Sequence, residues 1–197
     1  MKHNFTKFLI ICIFFIFSKY EIIKSKTDEE IFLGNKDAKI VVIEYASMTC
    51  IHCATFHKEV YPKIKKNYID TNKIKFIFRD FPLDKQALFA SVLAKCAPKD
   101  KYFNFVKLIL TNQEKWISND DTFMNKLRNI GKLAGLNENK INSCFKDEKM
   151  VDNIIRTRSI GEEKYNINST PSLIINEKKY SAMSYENFEK IIENLIN

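Results

Sequence analysis

The fold of this chain is decided by residues 40–53, which read IVVIEYASMTCIHC. Residues 39–45 form a nearly continuous apolar run rich in β-branched side chains, which predicts a strand covered on both faces. Residues 54–66 follow with apolar side chains at helical spacing, which predicts a helix. The pair Cys50 and Cys53 therefore lies where a buried strand turns into the first turn of a helix.

This position favours an anion on Cys50. The free N–H groups and the positive end of the helix dipole stabilise negative charge there, and His52, when protonated, adds a second positive charge. Two intervening residues at a helix start let the two cysteine sulfurs meet across one turn, and this arrangement lowers the pKa of the first thiol. Because the thiolate is the form that attacks disulfides, the stretch predicts a redox pair with Cys50 as its reactive member.

A zinc site, or a pair of buried structural cysteines, is the alternative interpretation of the same stretch. Structural zinc normally takes four ligands arranged as two close pairs. The other cysteines stand singly, and the remaining histidines are His3 and His57. The sequence therefore predicts neither a metal nor another cofactor.

Residues 1–25 have the pattern of a signal peptide. A basic start precedes the apolar run 8–17, whose length suits a signal-peptide core and is too short to span a bilayer. Ser18 and Ser25 are the small residues near which cleavage is expected, but neither gives a clean cleavage pattern, so an uncleaved anchor stays open. Export to the periplasm is the prediction.

Export changes the interpretation of the remaining cysteines. Removal of the segment that contains Cys12 leaves an even set, and an even set in an oxidising compartment favours disulfides. With Cys50 and Cys53 assigned to the redox pair, Cys96 and Cys144 become the candidate structural disulfide. The alternative is that both are free, buried thiols.

Composition narrows the class of protein. The 197 residues are 45% hydrophobic and 13% aromatic, with only four glycines and four prolines, which suits a packed core and argues against a disordered chain. The net charge is +8, but the lysines are interleaved with acidic residues throughout and no nucleic-acid motif is present. We therefore expect a solvated basic surface and no nucleic-acid binding.

Four further segments complete the predicted order of elements. Residues 27–38 are polar and predict a loop, and residues 73–78 alternate with period two and predict a second strand. Residues 84–163 carry apolar stripes at helical spacing and predict an all-helical block of four or five helices. Residues 168–197 predict a proline-led hairpin followed by an amphipathic helix.

Glu44 is an ionisable residue in the last part of the first predicted strand. It either lies at an edge and faces water, or it is buried beneath the helix that carries the cysteines, where burial raises the pKa of a carboxyl. The sequence leaves both interpretations open.

The whole order resembles the thioredoxin superfamily. With the helical insertion and the export signal, the chain is similar to the DsbA family of periplasmic thiol:disulfide oxidoreductases. The resemblance implies an α/β protein with a thioredoxin fold and an inserted all-helical domain, divided as 26–83 and 164–197 around 84–163. It covers nearly the whole mature chain and is carried by EYAS at 44–47, CIHC at 50–53, RDFP at 79–82 and STP at 169–171.

The resemblance also implies roles for individual residues. Cys50 is the nucleophile, and Cys53 resolves the mixed disulfide. Pro171 is a cis-proline that faces the cysteines and, with Thr170, binds the substrate backbone. Glu44 helps to move protons to and from the buried second cysteine.

Two positions depart from well-known members of that family. Ile51 stands where proline is typical, and Thr170 precedes the proline where valine is common. Both positions tune redox behaviour in the family, whereas His52 is retained.

The function implied is that of a monomeric dithiol oxidase. It would introduce disulfides into unfolded exported proteins and be reoxidised by a membrane quinone-linked enzyme of the DsbB type. One alternative is a disulfide isomerase or reductase of the same fold, but such isomerases carry an N-terminal dimerisation domain, and here only a short polar stretch precedes the first strand. The other is a binding module or chaperone with structural cysteines, in which no thiol pKa is depressed.

Overall fold

A five-stranded mixed sheet forms the centre of the protein. The computed structural model describes residues 30–181 and 183–197, so the predicted signal peptide lies outside the described residues. The strand order is β1-β3-β2-β4-β5, with β2 and β3 parallel and the other neighbours antiparallel. The strands are β1 Phe32–Gly34, β2 Ile40–Ala46, β3 Ile74–Asp80, β4 Ser172–Ile175 and β5 Lys178–Ser181.

Helices cover the sheet and fill the insertion between β3 and β4. Two short irregular segments interrupt them, a π-helix at Lys65–Ile69 and a 3₁₀ turn at Lys99–Lys101. In the described part of the chain the α-helices are α1 Ile51–Glu59, α2 Tyr61–Ile64, α3 Lys85–Lys95, α4 Tyr102–Thr111, α5 Gln113–Trp116, α6 Phe123–Leu133, α7 Glu138–Phe145, α8 Glu148–Tyr165 and α9 Tyr185–Ile196.

The central strand β2 separates two apolar cores. Successive side chains of a strand point to opposite faces, so Val42, Glu44 and Ala46 share one face. Val42 and Ala46 belong to the large core that also holds side chains of α1 and α4. Glu44 is fully buried on that face. The structure thus favours the buried interpretation of Glu44 over a place at a solvent-exposed edge.

The opposite face of β2 carries a smaller core. Ile43 and Tyr45 pack there with Tyr165 at the end of α8. Gly161 permits this packing, because a Cβ at that position would lie 2.7 Å from Cε1 of Tyr45. The last helix of the insertion therefore lies directly against the central strand.

Pro62 divides the helix predicted over residues 54–66 into two helices. The helix α1 ends at Glu59, and α2 begins at Tyr61 with Pro62 in its first turn. Proline lacks a backbone N–H and is tolerated at a helix start, where that donor would have no partner within the helix.

The prediction of a loop over residues 27–38 is wrong in one place. The structure has the short strand β1 there, in which Phe32 pairs with Ile77 of β3. Three residues are too few to show strand periodicity in the sequence. Gly34 ends the strand with φ 83°, and a Cβ there would collide with the carbonyl oxygen of Ile74.

The predicted thioredoxin fold with a helical insertion is confirmed, with a correction to the helix count. Six α-helices, from Lys85 to Tyr165, lie between β3 and β4, where four or five were predicted. The additional element is α5, a single turn that begins directly after Asn112. The domain limits at 83/84 and 163/164 stay a prediction. Within residues 30–181 and 183–197, no helix has the length and apolar character needed to cross a bilayer.

A disulfide joins two helices of the insertion. Cys96 follows α3 and Cys144 lies in α7, and their Cα atoms are 6.1 Å apart. Both cysteines are buried in a small apolar cluster with Val92 and Ile154. The cross-link therefore ties the end of α3 to α7.

The outer strand β5 differs in character from the other four. Its neighbour β4 is fully buried, whereas Lys178 and Lys179 of β5 are exposed. Because β5 pairs only with β4 among the described strands, its other side forms one edge of the sheet.

Candidate active site

Cys50 occupies the N-cap of α1. Its carbonyl accepts the first helical hydrogen bond from the Ala54 N–H at 3.1 Å. Its thiol is partly exposed and lies 3.3 Å from the carbonyl oxygen of Thr170, just before β4. The long separation in sequence is bridged because β4 pairs with β2, whose carboxyl end leads to the cysteines.

The surroundings of Cys50 stabilise its thiolate. The Cys53 thiol donates a hydrogen bond to it, and Thr170 and the backbone N–H groups of Cys53 and His52 add to the effect. Together they outweigh partial burial and lower the pKa of Cys50 from 9.0 to about 5. The buried Thr170 hydroxyl, which has no other hydrogen-bond partner among the described residues, is one of these donors.

Cys53 has the opposite electrostatic environment. It is fully buried, and burial raises the pKa of its thiol, helped by its hydrogen bond with Cys50 and by the negative charge of Glu44. One sulfur of the pair is therefore a thiolate at neutral pH and the other a protonated donor. The asymmetry suits a nucleophile and a resolving thiol.

The loop between β3 and α3 holds the segment before the cysteines. The Ser47 hydroxyl accepts a hydrogen bond from the Leu83 N–H at 3.3 Å, and the Thr49 hydroxyl donates to Asp84 at 2.6 Å. Asp84 also caps α3 by accepting from the Ala87 N–H at 2.8 Å. The start of the insertion is thus fastened to the loop that presents Cys50.

Gln113, in the short helix α5, holds the same loop from another side. Its buried side-chain amide donates to the carbonyl of Met48 at 2.7 Å and to that of Cys50 at 3.0 Å. One side chain of the insertion therefore clamps the backbone on which the reactive sulfur sits.

We expect Gln113→Leu to loosen this loop. The substitution keeps the bulk but removes both hydrogen bonds, which should lower the free energy of unfolding by roughly 1–3 kcal/mol. It should also raise the pKa of Cys50, since the donors around its sulfur lose their fixed geometry. Urea unfolding and thiolate absorbance against pH measure the two effects.

Gln86→Leu is the matched control for that variant. Gln86 clamps a different loop, donating to the Ser118 carbonyl at 2.6 Å and accepting from the Ser118 N–H at 3.2 Å. It should cost similar stability without moving the Cys50 titration. An equal change in the Cys50 pKa in both variants, or no change in Gln113→Leu, would contradict this role of Gln113.

The lowered pKa of Cys50 also makes the stability of the reduced protein depend on pH. Between pH 9 and about 5 the unfolded chain holds a proton on Cys50 that the folded chain has released. Unfolding free energy should therefore rise with pH across this window, and the stabilisation is lost as the pH falls through about 5. The full shift corresponds to about 5 kcal/mol, and solvent screening of the partly exposed sulfur reduces this to roughly half.

Urea unfolding of the reduced protein at several pH values measures this dependence. Cys50→Ala supplies the comparison, because it keeps every other titrating group. The difference between the two proteins should grow across the window. Parallel curves would show that the thiolate does not stabilise the fold.

The structure brings together most of the site residues predicted from sequence. Cys50, Cys53, Thr170 and Glu44 lie around one point, and the Thr170–Pro171 peptide bond is cis, as the resemblance implied. The imidazole of His52 is exposed, and it is the backbone N–H of His52 that acts on Cys50. The Cys96–Cys144 disulfide lies apart, in the insertion. No cluster of three or more potential metal ligands occurs among the described residues.

Sequence reasoning missed two polar residues of the site. His57 is buried and contacts Glu44, and Gln113 holds the loop before the cysteines. His57 lies four residues after Cys53, a spacing that puts both on one face of a helix and was available as a signal. No local pattern marks Gln113, because its contacts are 63 and 65 residues away.

Comparison with known proteins agrees with this geometry. A family model described as "Thioredoxin" matches residues 26–194. The "Putative protein-disulfide oxidoreductase" of Rickettsia bellii is 36% identical over 173 residues, which is 87% of this chain and 66% of that protein. The chain spans less than two thirds of the length of this relative and of its counterpart in Rickettsia prowazekii, which is 32% identical over 171 residues and of which 62% is covered.

Solved structures show the same relationship. The alpha-DsbA1 of Wolbachia pipientis superposes with a TM-score of 0.80 at 35% identity, covering 85% of this chain and 90% of that one. BdbD from Bacillus subtilis shares the fold, with a TM-score of 0.74 at 21% identity over 84% of this chain and 91% of its own. The family model matches most of this chain, and the chain resembles alpha-DsbA1 at 35% identity. The chain therefore belongs to the thioredoxin family, among its DsbA-like members.

Proposed function

We propose that the protein is a thiol:disulfide oxidoreductase that introduces disulfide bonds into exported proteins. The observation that carries the proposal is the asymmetric pair at the start of α1. A partly exposed Cys50, whose pKa is lowered to about 5, lies beside a buried Cys53 thiol that donates a hydrogen bond to it. The names of the Rickettsia relatives agree with this class of reaction.

The reaction begins with the oxidised pair. A substrate thiolate attacks the Sγ of Cys50, the Cys50–Cys53 bond breaks, and Cys53 leaves and takes up a proton. A second substrate thiolate then attacks the substrate sulfur of the mixed disulfide, and Cys50 leaves as a thiolate. The substrate loses two electrons as its disulfide forms, and the protein pair gains them.

The stability of the Cys50 thiolate determines the direction of disulfide transfer. Every contact that stabilises the Cys50 thiolate stabilises the reduced protein relative to its disulfide, and a low pKa also makes Cys50 a good leaving group. The disulfide form is then the higher-energy state and is readily donated. Because Cys50 is partly exposed and Cys53 is buried, a substrate reaches the sulfur of Cys50.

The surface around Cys50 suits an unfolded substrate. The backbone of Thr170 is adjacent to the sulfur, so an extended peptide can pair with it as an added strand. Ile51, 64% exposed, and Leu83, 50% exposed, offer apolar contacts close by. Thr170 and the buried Pro171 are therefore proposed as substrate-binding residues, without requiring a particular sequence in the substrate.

Glu44 is proposed to exchange the proton of Cys53. It lies fully buried on the face of β2 that α1 covers, and its charge acts on the Cys53 thiol. A buried thiol must lose its proton before it can attack a disulfide, and water does not reach Cys53 directly.

The periplasm is the proposed location. The pattern of residues 1–25 supports export, and the Cys96–Cys144 disulfide suits an oxidising compartment. There the protein would act as a monomer on unfolded exported proteins and be reoxidised by a membrane quinone-linked enzyme of the DsbB type.

Equilibration with glutathione tests the direction of the reaction. We expect a reduction potential nearer to the roughly −120 mV of strong oxidants than to the roughly −270 mV of thioredoxin. The protein should oxidise reduced ribonuclease A faster than it rearranges the scrambled enzyme. A potential near that of thioredoxin, or faster rearrangement than oxidation, would favour a reductase or an isomerase instead.

A further inference from the structure

The buried polar pair beneath α1 consists of Glu44 and His57. Their side chains are 0% and 1% exposed. Nε2 of His57 lies 2.9 Å from one carboxylate oxygen of Glu44 and 3.1 Å from the other. A single nitrogen therefore contacts both oxygens of the carboxylate.

Aromatic rings fix the imidazole of His57. Its ring stacks on Tyr61 with centroids 4.7 Å apart and is met edge-on by Phe56 and Phe78 at 5.9 and 6.0 Å. Nδ1 has no hydrogen-bond partner among the described residues. The polar contact of the ring is thus directed to Glu44, and the rings around it prevent reorientation.

The titratable groups that face this pair are Cys53 and Tyr61. Cys53 lies one helical turn before His57 on α1 and feels the charge of Glu44. Tyr61 comes from α2, and burial and the charge of Glu44 raise the pKa of its hydroxyl, so it stays neutral. Glu44 comes from β2. Cys53 is therefore the group near Glu44 that the disulfide reaction requires to change its protonation state.

We propose that His57 is a positioning residue whose Nε2 holds the Glu44 carboxylate in the orientation that exchanges a proton with Cys53. The inference rests on the proposed function and adds a residue to it. In the step concerned, the Cys53 thiol of a Cys50 mixed disulfide gives its proton to the carboxylate. The resulting thiolate attacks the Sγ of Cys50, the mixed disulfide breaks, and the outgoing thiolate leaves.

A physical reason makes such a partner necessary. A buried carboxylate with no hydrogen-bond donor is strongly destabilised, so it either stays protonated or turns toward another donor. Both outcomes remove a base from the vicinity of Cys53. The N–H of His57 supplies the missing donor without entering the path of the sulfur.

Stopped-flow oxidation of the reduced protein by oxidised glutathione separates the relevant steps. In the first step, which is second order, Cys50 forms a mixed disulfide with glutathione. In the second, which is first order, Cys53 resolves it. We expect substitutions at His57 to change the rate of the second step and to leave the rate of the first unchanged. His57 is not among the groups that lower the pKa of Cys50.

The substitutions His57→Gln and His57→Asn both introduce a side-chain amide, but the two side chains differ in length. The Nε2 of His57→Gln reaches the place of the imidazole Nε2, whereas the shorter amide of His57→Asn does not. We expect His57→Asn to slow resolution about 10- to 100-fold, because a proton exchanged by a positioned group is worth about 10²–10⁴-fold. His57→Gln should stay within about threefold of the unmodified protein.

A double substitution shows whether the effect passes through Glu44. In a Glu44→Leu background, His57→Asn should cause no further slowing of resolution. Equal rates for the Asn and Gln variants, or an additional loss in the Glu44→Leu background, would overturn the inference. Failure of the unmodified protein to oxidise reduced ribonuclease A would instead overturn the proposed function, so the two failures are distinguishable.

Discussion

Cys50→Ala should abolish disulfide transfer, whereas Cys53→Ala should trap the protein on its substrate. The proposed mechanism makes Cys50 the reactive sulfur, because it is partly exposed and its pKa is lowered to about 5. Without Cys53, a mixed disulfide formed at Cys50 has no resolving thiol. Incubation with a partly oxidised unfolded protein, followed by non-reducing electrophoresis, should show a covalent complex only for Cys53→Ala.

The reverse pair of results would contradict this assignment. A covalent complex formed through Cys53 in the Cys50→Ala variant would mean that the buried sulfur is accessible in solution. The double variant is the control, since it should form no complex and should retain the fold. Mass mapping of the trapped species identifies the sulfur that carries the substrate.

The second large effect expected is on stability. Removing the Cys96–Cys144 disulfide as Cys96→Ala/Cys144→Ala should lower the free energy of unfolding by about 4 kcal/mol. The bond closes a loop with a sequence separation of 48 residues, and opening it restores conformational freedom to the unfolded chain. Urea unfolding of the oxidised proteins gives the difference.

The same variant should leave the redox chemistry almost unchanged. The disulfide lies in a separate apolar cluster with Val92 and Ile154, and it contributes nothing to the donors around Cys50. The rate of glutathione mixed-disulfide formation should therefore match that of the unmodified protein at a temperature where both are folded. A loss of stability below about 1 kcal/mol would show that the bond does not constrain the unfolded chain.

The fold was predictable where the pattern is long enough to show its period. The strands β2 and β3 each span seven residues, and the helical stripes of the insertion run over several turns. The strand β1 was missed because three residues carry no periodicity, and its pairing with β3 is a long-range contact. The single turn α5 was missed as a separate helix for the same reason.

The residues of the site also differ in whether a local sequence pattern reveals them. The cysteine pair is a local motif, and its position after a strand already indicates a stabilised thiolate. Thr170 and Pro171 were placed by resemblance, since 120 residues separate Thr170 from Cys50. For Glu44 the deciding fact is which face of β2 meets α1, and that depends on tertiary packing. Gln113 depends on how the insertion docks, which no local sequence pattern encodes.

The exposed lysines of β5 have a consequence for solubility. Under the proposed function, the protein meets unfolded chains whose extended backbones can add to an open sheet edge and start aggregates. Lys178 and Lys179 give this edge a positive charge, so a second copy of the strand aligned against it meets like charges. The edge thereby discourages self-assembly by strand addition, while the backbone beside Cys50 stays open to the substrates proposed for it.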